Sequence, residues 1–471
     1  MKSFTRSKAA LFTSARYVGY ALQLARGIIL ARILEPTLFG VFGFLILVQT
    51  YLTYGNLGIP YAINLDLASG KTRYGEPESL ISYAFTLTLF VAVLITAMGG
   101  VIWAFRIPLF AKYEFTPYAL LVAATGAFGI LREFFSDIYQ VYGQLGRIIA
   151  YELNSNVMLF LTCFFFAARQ QIEAQFAVAV LAGLAGTTIF LYRHPFEIGI
   201  KFDFAKSKHI LSTGLPLLAS TVTFYLILMS SRTIISAYYP LEVMGYYSLA
   251  NSIASVTLLG LNAISWVFYP SIISKITRDQ EAGDAASIVH KVNTLYNMSV
   301  WTIVLSVIPC IPIMVLVLPK YGPAEPLIAL LLISQAVVSA GFGFSTLANA
   351  RRRQMQVAKF SFFALVVVLI LSLLLGITEM DPRWIASVTV LGFLAYDVLL
   401  VRFGCSLLGV PFHRILFSEV FPPGVVLALL LVAAGSFLGS LMWVGLLALV
   451  IFVILERRKL YFVLQTTFNI V

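Results

Sequence analysis

A chain of 471 residues that is 60% hydrophobic and only 11% charged, with a mean hydropathy of +0.92, is not a water-soluble protein. A soluble domain carries roughly a quarter of its residues as charges, because its surface must be solvated. The formal charge of +11 does not mark a nucleic-acid binder either: the bases fall mostly in short connections between apolar runs, which is how Lys and Arg orient a membrane chain.

Apolar runs of about 20 residues cross a hydrocarbon layer of roughly 30 Å as helices, whereas a barrel reads as alternating segments of about 10 residues. The runs here are of the first kind, so the fold class is all-α integral membrane. In chain order they predict spans at Ala15–Leu34, Phe39–Ile59, Leu80–Ala104, Pro117–Tyr139, Ile148–Ala168 and Ile172–Tyr192. A second set follows at Ile210–Ser236, Met244–Pro270, Leu295–Leu318, Pro326–Asn349, Ala358–Ile377 and Ile385–Leu407. A last pair, Gly424–Leu438 and Leu441–Leu455, is joined by Gly439–Ser440 and is open to a second reading as one kinked or re-entrant unit. The expected total is about 14 transmembrane helices.

With that number both termini share a side. About twenty-two bases, among them Lys2, Lys71, Arg73, Arg147, Lys206, Arg351–Arg353 and Arg457–Lys459, then fall on it, against six on the other. Such a bias predicts two cytoplasmic termini. The first apolar stretch is interrupted by Arg16 and Arg26 and is followed by no small-residue cleavage site, so it reads as a retained span. Cys163, Cys310 and Cys405 lie in or beside apolar runs without metal-ligand spacing, and no metal or other cofactor is expected.

The two halves of the chain are alike. LEPTLFGVFGF at Leu34–Phe44 and YPLEVMGYYSL at Tyr239–Leu249 both set a Pro-containing turn before a Gly that opens the next span. These and similar matches suggest two pseudo-symmetric six-helix lobes, residues 12–193 and 210–408, with a cytoplasmic interfacial linker at 194–209 and a C-terminal helix pair at 421–457. The linker alternates aromatic or aliphatic residues with Lys, as a segment lying at a membrane surface does. A parallel six-helix repeat implies an axis along the membrane normal and a path between the lobes.

Polar groups inside spans are costly and point to function or to pairing. Arg16 and Gln23 lie seven apart on the first span, with Arg26 near its middle, and a guanidinium fork suits phosphate oxygens. Snorkelling is the competing reading for Arg16, and for Arg232 near the end of its span. On the fourth span Arg132, Glu133, Ser136, Asp137 and Gln140 form a polar stripe. It reads as a cavity wall with a titratable coupling carboxylate, or equally as an internally paired helix contact. Asp397 reads first as a buried hydrogen-bonded or protonated acid and second as a coupling group. Glu152, Asn154 and Asn156 are further polar intruders. Gln49, Asn251, Asn262, Gln335 and Asn349 suit sugar hydroxyls, with interhelical hydrogen bonding the stronger expectation.

LARILEPTLFG at Leu30–Gly40 followed by GNLGIPYAIN at Gly55–Asn64 resembles the opening of bacterial polysaccharide-biosynthesis flippases. Their superfamily also holds multidrug and toxin extruders and the peptidoglycan-precursor flippase. GLP at Gly214–Pro216, Ser231–Arg232, GYYSLA at Gly245–Ala250 and KYGPAEPLIAL at Lys320–Leu330 are similar to later parts of that family, so the likeness covers roughly residues 12–400. It implies two lobes about a cavity facing alternately in and out, and a lipid-linked oligosaccharide, on an undecaprenyl pyrophosphate, moved to the outer leaflet of a bacterial inner membrane. On this view Arg16, Gln23, Arg26, Arg132, Arg232 and Asn251 bind substrate, and Glu133, Asp137 and Asp397 are the candidates for coupling to H+ or Na+. Membrane lipids and other polysaccharide-assembly proteins are the expected partners, and no nucleic acid. Family members often carry an acid where this chain has Asn56 and Ser231, so no coupling or lobe-locking role passes to those positions. Efflux of cationic drugs is the first alternative, disfavoured because the first and seventh spans hold no acid. An integral-membrane polysaccharide-assembly enzyme is the second, disfavoured by short connections and the lack of a compact catalytic motif.

Overall fold

The computed structural model describes residues 6–69, 77–278 and 282–470, so Lys2, Lys71 and Arg73 of the charge bias lie outside the described residues. Those residues form helices and turns, with no strand among them. In a hydrocarbon layer every backbone N–H and C=O must find a partner, and a helix supplies it locally. Eight described helices or helix runs are long and apolar enough to cross a membrane, or up to ten if two bent pairs each count as one span. The remaining predicted spans lie on helices as well.

The helices are α1 Arg6–Ile33, α2 Pro36–Tyr54, α3 Ile59–Ser69, α4 Ile81–Ala104, α5 Phe115–Val141, α6 Leu145–Thr162, α7 Ala168–Leu191 and α8 Phe204–Tyr238. Then come α9 Leu241–Arg278, α10 Ala282–Val307, α11 Ile311–Val317, α12 Glu325–Ser339, α13 Phe342–Ala350, α14 Gln354–Ile377 and α15 Pro382–Leu408. The short α16 Phe412–Ile415 precedes α17 Pro423–Leu438 and α18 Leu441–Ile470. Their ends follow known chemistry. Pro36, Pro382 and Pro423 each open a helix, where the missing N–H costs nothing. Gly409 and Gly439 close α15 and α17 in the left-handed conformation, at φ 67° and 77°.

Three predicted spans are interrupted. Phe39–Ile59 ends early at Tyr54, and α3 restarts after Leu57 and Gly58, both at positive φ (53° and 74°). Leu295–Leu318 breaks at Ile308–Cys310 around Pro309, and Pro326–Asn349 breaks at Ala340–Gly341. The final pair consists of two separate helices, the second 30 residues long and reaching well past Leu455.

The chain divides into two compact units, Met1–Val222 and Thr223–Val471, with the boundary inside α8, where that helix bends. In the first unit α5 is central, packing on α2, α4 and α7, while α6 packs on α7 and α1. Small residues set the approach: a methyl on Gly129 would stand 2.6 Å from Thr53 Oγ1, and Gly183 and Gly186 of α7 make room for the rings of Phe128 and Tyr151. Arg147 caps the end of α7. Its Nη1 donates to the carbonyls of Ile189 at 3.2 Å, Phe190 at 3.3 Å and Tyr192, and its Nη2 to Arg193 at 2.7 Å, satisfying acceptors that a helix end leaves open.

In the second unit α12 takes the central place, packing on α9, α10 and α15, with α14 on α15. The order of partners repeats that of the first unit. The C-terminal pair packs onto this unit through α17 on α12 and α18 on α10. Its core is filled by large side chains, Trp301, Tyr247, Phe344 and Phe393, all buried.

Candidate functional site

The first unit keeps a polar hollow of about 380 Å³ where α1, α2, α5, α6 and α7 meet. Its floor follows from helix periodicity: Gln23 and Arg26 are one turn apart on α1 and share a face. Arg26 is half-buried, its Nε has no hydrogen-bond partner, and its Cζ lies 6.0 Å from the centre of the Phe42 ring, at the outer limit of a cation–π contact. Arg132 enters from α5. From α6 come Glu152, Ser155 and Asn156, again at one-turn spacing, and Asn156 presses against Gly19 of α1, where a methyl would stand 3.0 Å from its Nδ2.

The remaining walls are amides, hydroxyls, a few aliphatic side chains and four rings, those of Phe42, Phe128, Tyr151 and Phe176. Thr50 and Thr53 of α2 turn their hydroxyl hydrogens back to Ile46 and Gln49 carbonyls, at 2.7 and 3.1 Å, which leaves oxygen lone pairs for other donors. Gln175 of α7 donates Nε2 to the Leu159 carbonyl at 3.3 Å and to Cys163 Sγ at 3.5 Å, while its Oε1 has no partner. Phe42 and Phe176 meet edge to face at 6.0 Å. Two guanidinium groups behind low-dielectric walls make the hollow attractive to anions. The amides and hydroxyls can bond a polyol, and the size falls within the roughly 300–1,000 Å³ of small-molecule sites. Among the described residues no group of three His, Cys, Asp or Glu side chains is placed to hold a metal ion.

Of the candidates from sequence, Gln23, Arg26 and Arg132 come together in this hollow. Arg16 is outside the lining but tied to it: Nη2 is 3.1 Å from Glu152 Oε1, an ion pair. Arg232 and Asn251 belong to the second unit, on α8 and α9. Glu133 is not in the lining. It accepts a hydrogen bond from Asn56 Nδ2 at 2.8 Å, and Asn56 Oδ1 accepts from the Gly58 N–H at 2.9 Å, so the acid is tied across the break between α2 and α3. Asp137 is one turn further along α5 and also outside the lining. Asp397 is fully buried on α15. Of the polar stripe on the fourth span, then, Arg132 faces the hollow while Glu133 serves the internally paired helix contact.

Glu152 and Asn156 stood out in the sequence only as polar intruders, and Ser155 and Gln175 not at all. The one-turn spacing of Glu152, Ser155 and Asn156 was the available signal; a lone Gln such as Gln175 in an apolar run carries none.

The comparisons with known proteins agree with this architecture. The family model described as polysaccharide biosynthesis protein matches residues 6–277. No curated protein matches the sequence. Among solved structures, the lipid II flippase MurJ in an inward closed conformation is similar at a TM-score of 0.70 and 14% identity, over 96% of this chain and 100% of that one. An inward-facing multidrug resistance MATE family transporter of the MOP superfamily is similar at 0.65 and 13%, over 83% and 94%. A MOP superfamily transporter from Pyrococcus furiosus, described as having a binding pocket of reverse polarity, is similar at 0.58 and 14%, over 85% and 96%. At these identities the likeness establishes the fold, that of a multi-pass membrane transporter.

Proposed function

The chain belongs to the polysaccharide biosynthesis protein family, and from that premise we propose that it is an alternating-access flippase for a lipid-linked oligosaccharide, carried on a pyrophosphate such as undecaprenyl pyrophosphate. The observation that carries the proposal is the hollow of the first unit, where Arg26 and Arg132 stand among amides and hydroxyls. The guanidinium forks meet phosphate oxygens, and Gln23, Gln49, Asn156 and Gln175 meet sugar hydroxyls. Arg16 holds Glu152, so the lining carboxylate does not compete with the anion for Arg26. The likeness to a lipid II flippase supports a lipid-linked substrate. On this reading the protein sits in a bacterial inner membrane with both termini cytoplasmic, among lipids and other polysaccharide-assembly proteins, and does no covalent chemistry.

Similarity to multidrug transporters keeps cation efflux as a second reading. It is disfavoured by electrostatics, because two guanidinium groups in the lining repel a cation. The deciding variant is Arg26→Ala. Losing a charge-assisted hydrogen bond costs about 2 kcal/mol, roughly a thirty-fold loss of translocation. The lipid-linked saccharide should accumulate on the inner leaflet while protein abundance is unchanged. Unimpaired translocation by this variant, or drug hypersensitivity of a deletion strain without that accumulation, overturns the proposal.

A further inference from the structure

In the second unit Asp397 is fully buried, and among the described residues neither of its carboxylate oxygens has a hydrogen-bond partner. It faces the break between α12 and α13. There the helical ladder is lost: the Ala340 N–H donates back to Val337 at 2.8 Å, and the Phe344 and Ser345 N–H groups both donate to the Gly341 carbonyl at 3.0 Å. The Gly343 N–H leaves the helix and donates to Asn293 Oδ1 on α10 at 3.0 Å. Such a break strands carbonyls at the end of α12, as any helix end does.

Gly341 shows how closely the acid and the break are fitted. A methyl there would stand 2.7 Å from Asp397 Oδ1 and 3.0 Å from Leu400 Cδ2. The glycine is at φ −91°, which any residue adopts, so it supplies space for the carboxyl rather than an unusual backbone.

Among the described residues no cation balances the carboxylate. α13 and α17 carry no ionisable side chain, and Glu325 is at the far end of α12. Lys359 of α14 and Arg402 of α15 are exposed, whereas Asp397 is fully enclosed. Arg383, at the start of α15, is held by Asp381. On α10 His290 is paired with Glu419 at 2.7 Å, and Lys291 is exposed. His413 and Arg414 of α16 lie beyond the end of α15. On α8 Arg232 is half-buried and makes no hydrogen bond to either Asp397 oxygen. Tyr396 is adjacent in sequence and can bring no positive charge. An ionised carboxylate without cation or donor is the costliest group to keep in such a place, while the acid form removes the charge and gains an O–H donor.

We propose that Asp397 and the break at Ala340–Gly341 form a proton-binding site, occupied in the packing seen here and emptied when α12 and α13 part enough to admit water. On emptying, the carboxyl O–H bond breaks, the proton passes to a water molecule, and the carboxylate stays in a wetted break. In the occupied state the O–H is offered to the stranded carbonyls of α12. The site is independent of what the hollow in the first unit binds.

The test is infrared difference spectroscopy across a pH step on the full-length protein in lipid, with 13C-labelled aspartate to separate Asp from Glu. A protonated-carboxyl band assigned to Asp is expected at neutral pH, and Asp397→Asn should remove it. If that variant does not fold, Gly341→Ala serves instead, since its methyl meets Oδ1 and should shift the band and its pH midpoint. No protonated Asp band at neutral pH, a band that survives Asp397→Asn, or one unmoved by Gly341→Ala overturns the proposal.

Discussion

Each unit sets a carboxyl group against a broken helix, and the two solve the same problem in opposite ways. In the first, the break at Gly55–Gly58 frees a backbone donor, and Asn56 answers with both faces of its amide, accepting from Gly58 and donating to Glu133. In the second, Asn293 Oδ1 likewise accepts from the Gly343 N–H at 3.0 Å, but its Nδ2 does not bond the acid, and among the described residues both Asp397 oxygens are left without a partner. The Asn56 amide carries donor and acceptor at once, so the first break is closed whatever the pH. In the second, the acid is satisfied only when it brings its own proton. One break is braced; the other is conditional.

The contrast is sharpest at the two glycines. Gly58 is at φ 74°, and a methyl on it would stand 2.1 Å from the Gly214 carbonyl oxygen, backbone against backbone. Neither side can yield, so Gly58→Ala should cost about 4 kcal/mol, combining backbone strain and overpacking. At Gly341 the obstacles are side-chain atoms of Asp397 and Leu400 and the backbone angle is ordinary. Gly341→Ala should cost only about 1.5 kcal/mol. Denaturation of the two variants in mixed detergent micelles measures both; equal losses would erase the distinction between a braced and a yielding break.

Asn56→Leu tests the brace itself. It strands the Gly58 N–H and the Glu133 carboxylate together, each an unmet polar group, for a total of about 3 kcal/mol. Part of that loss should return in Asn56→Leu/Glu133→Leu, because an apolar pair leaves fewer groups unmet. A double variant no more stable than Asn56→Leu would mean the amide serves Gly58 alone.

Neither break was legible in the sequence: the predicted span Phe39–Ile59 overran the end of α2 at Tyr54, and Pro326–Asn349 ran on through Ala340–Gly341. Phe39–Ile59 and Pro326–Asn349 stay apolar straight through Gly55 and Gly341, and hydropathy reports the solvent a segment prefers, not whether its backbone ladder is continuous. The bases were easier. Arg26 and Arg132 stand out because a guanidinium inside an apolar run needs a reason, and both line the hollow. The facing of Glu133 was not readable, since it depends on Asn56 lying at a bend that only the fold reveals. Gln175 was missed for the opposite reason: a neutral amide in a span is ordinarily an interhelical contact, and its role comes from the partners that α6 and α1 place around it.

Asp381, at the start of the helix that carries Asp397, gives the smallest expected effect and separates the two acids by pH. Its Oδ1 accepts from the Arg383 N–H at 2.9 Å and its Oδ2 from Arg383 Nε at 2.8 Å. The hydrogen bond from Arg383 holds this carboxyl below its ordinary value, against the weaker upward push of burial. A carboxyl depressed in the folded state adds stability that is complete above the unfolded value of about 3.9 and fades as pH falls from there through the folded value. The pair is partly exposed and screened by solvent, so its worth is about 0.5 kcal/mol. Asp381→Asn should therefore lower stability slightly at neutral pH and match the parent in strong acid. Asp397→Asn should instead change the response at neutral pH and above, where a conditional site would release its proton. If Asp397→Asn, like Asp381→Asn, differed from the parent at neutral pH and converged on it only in strong acid, Asp397 would be an ordinary ionised carboxylate, and the second break would be braced by something other than a proton.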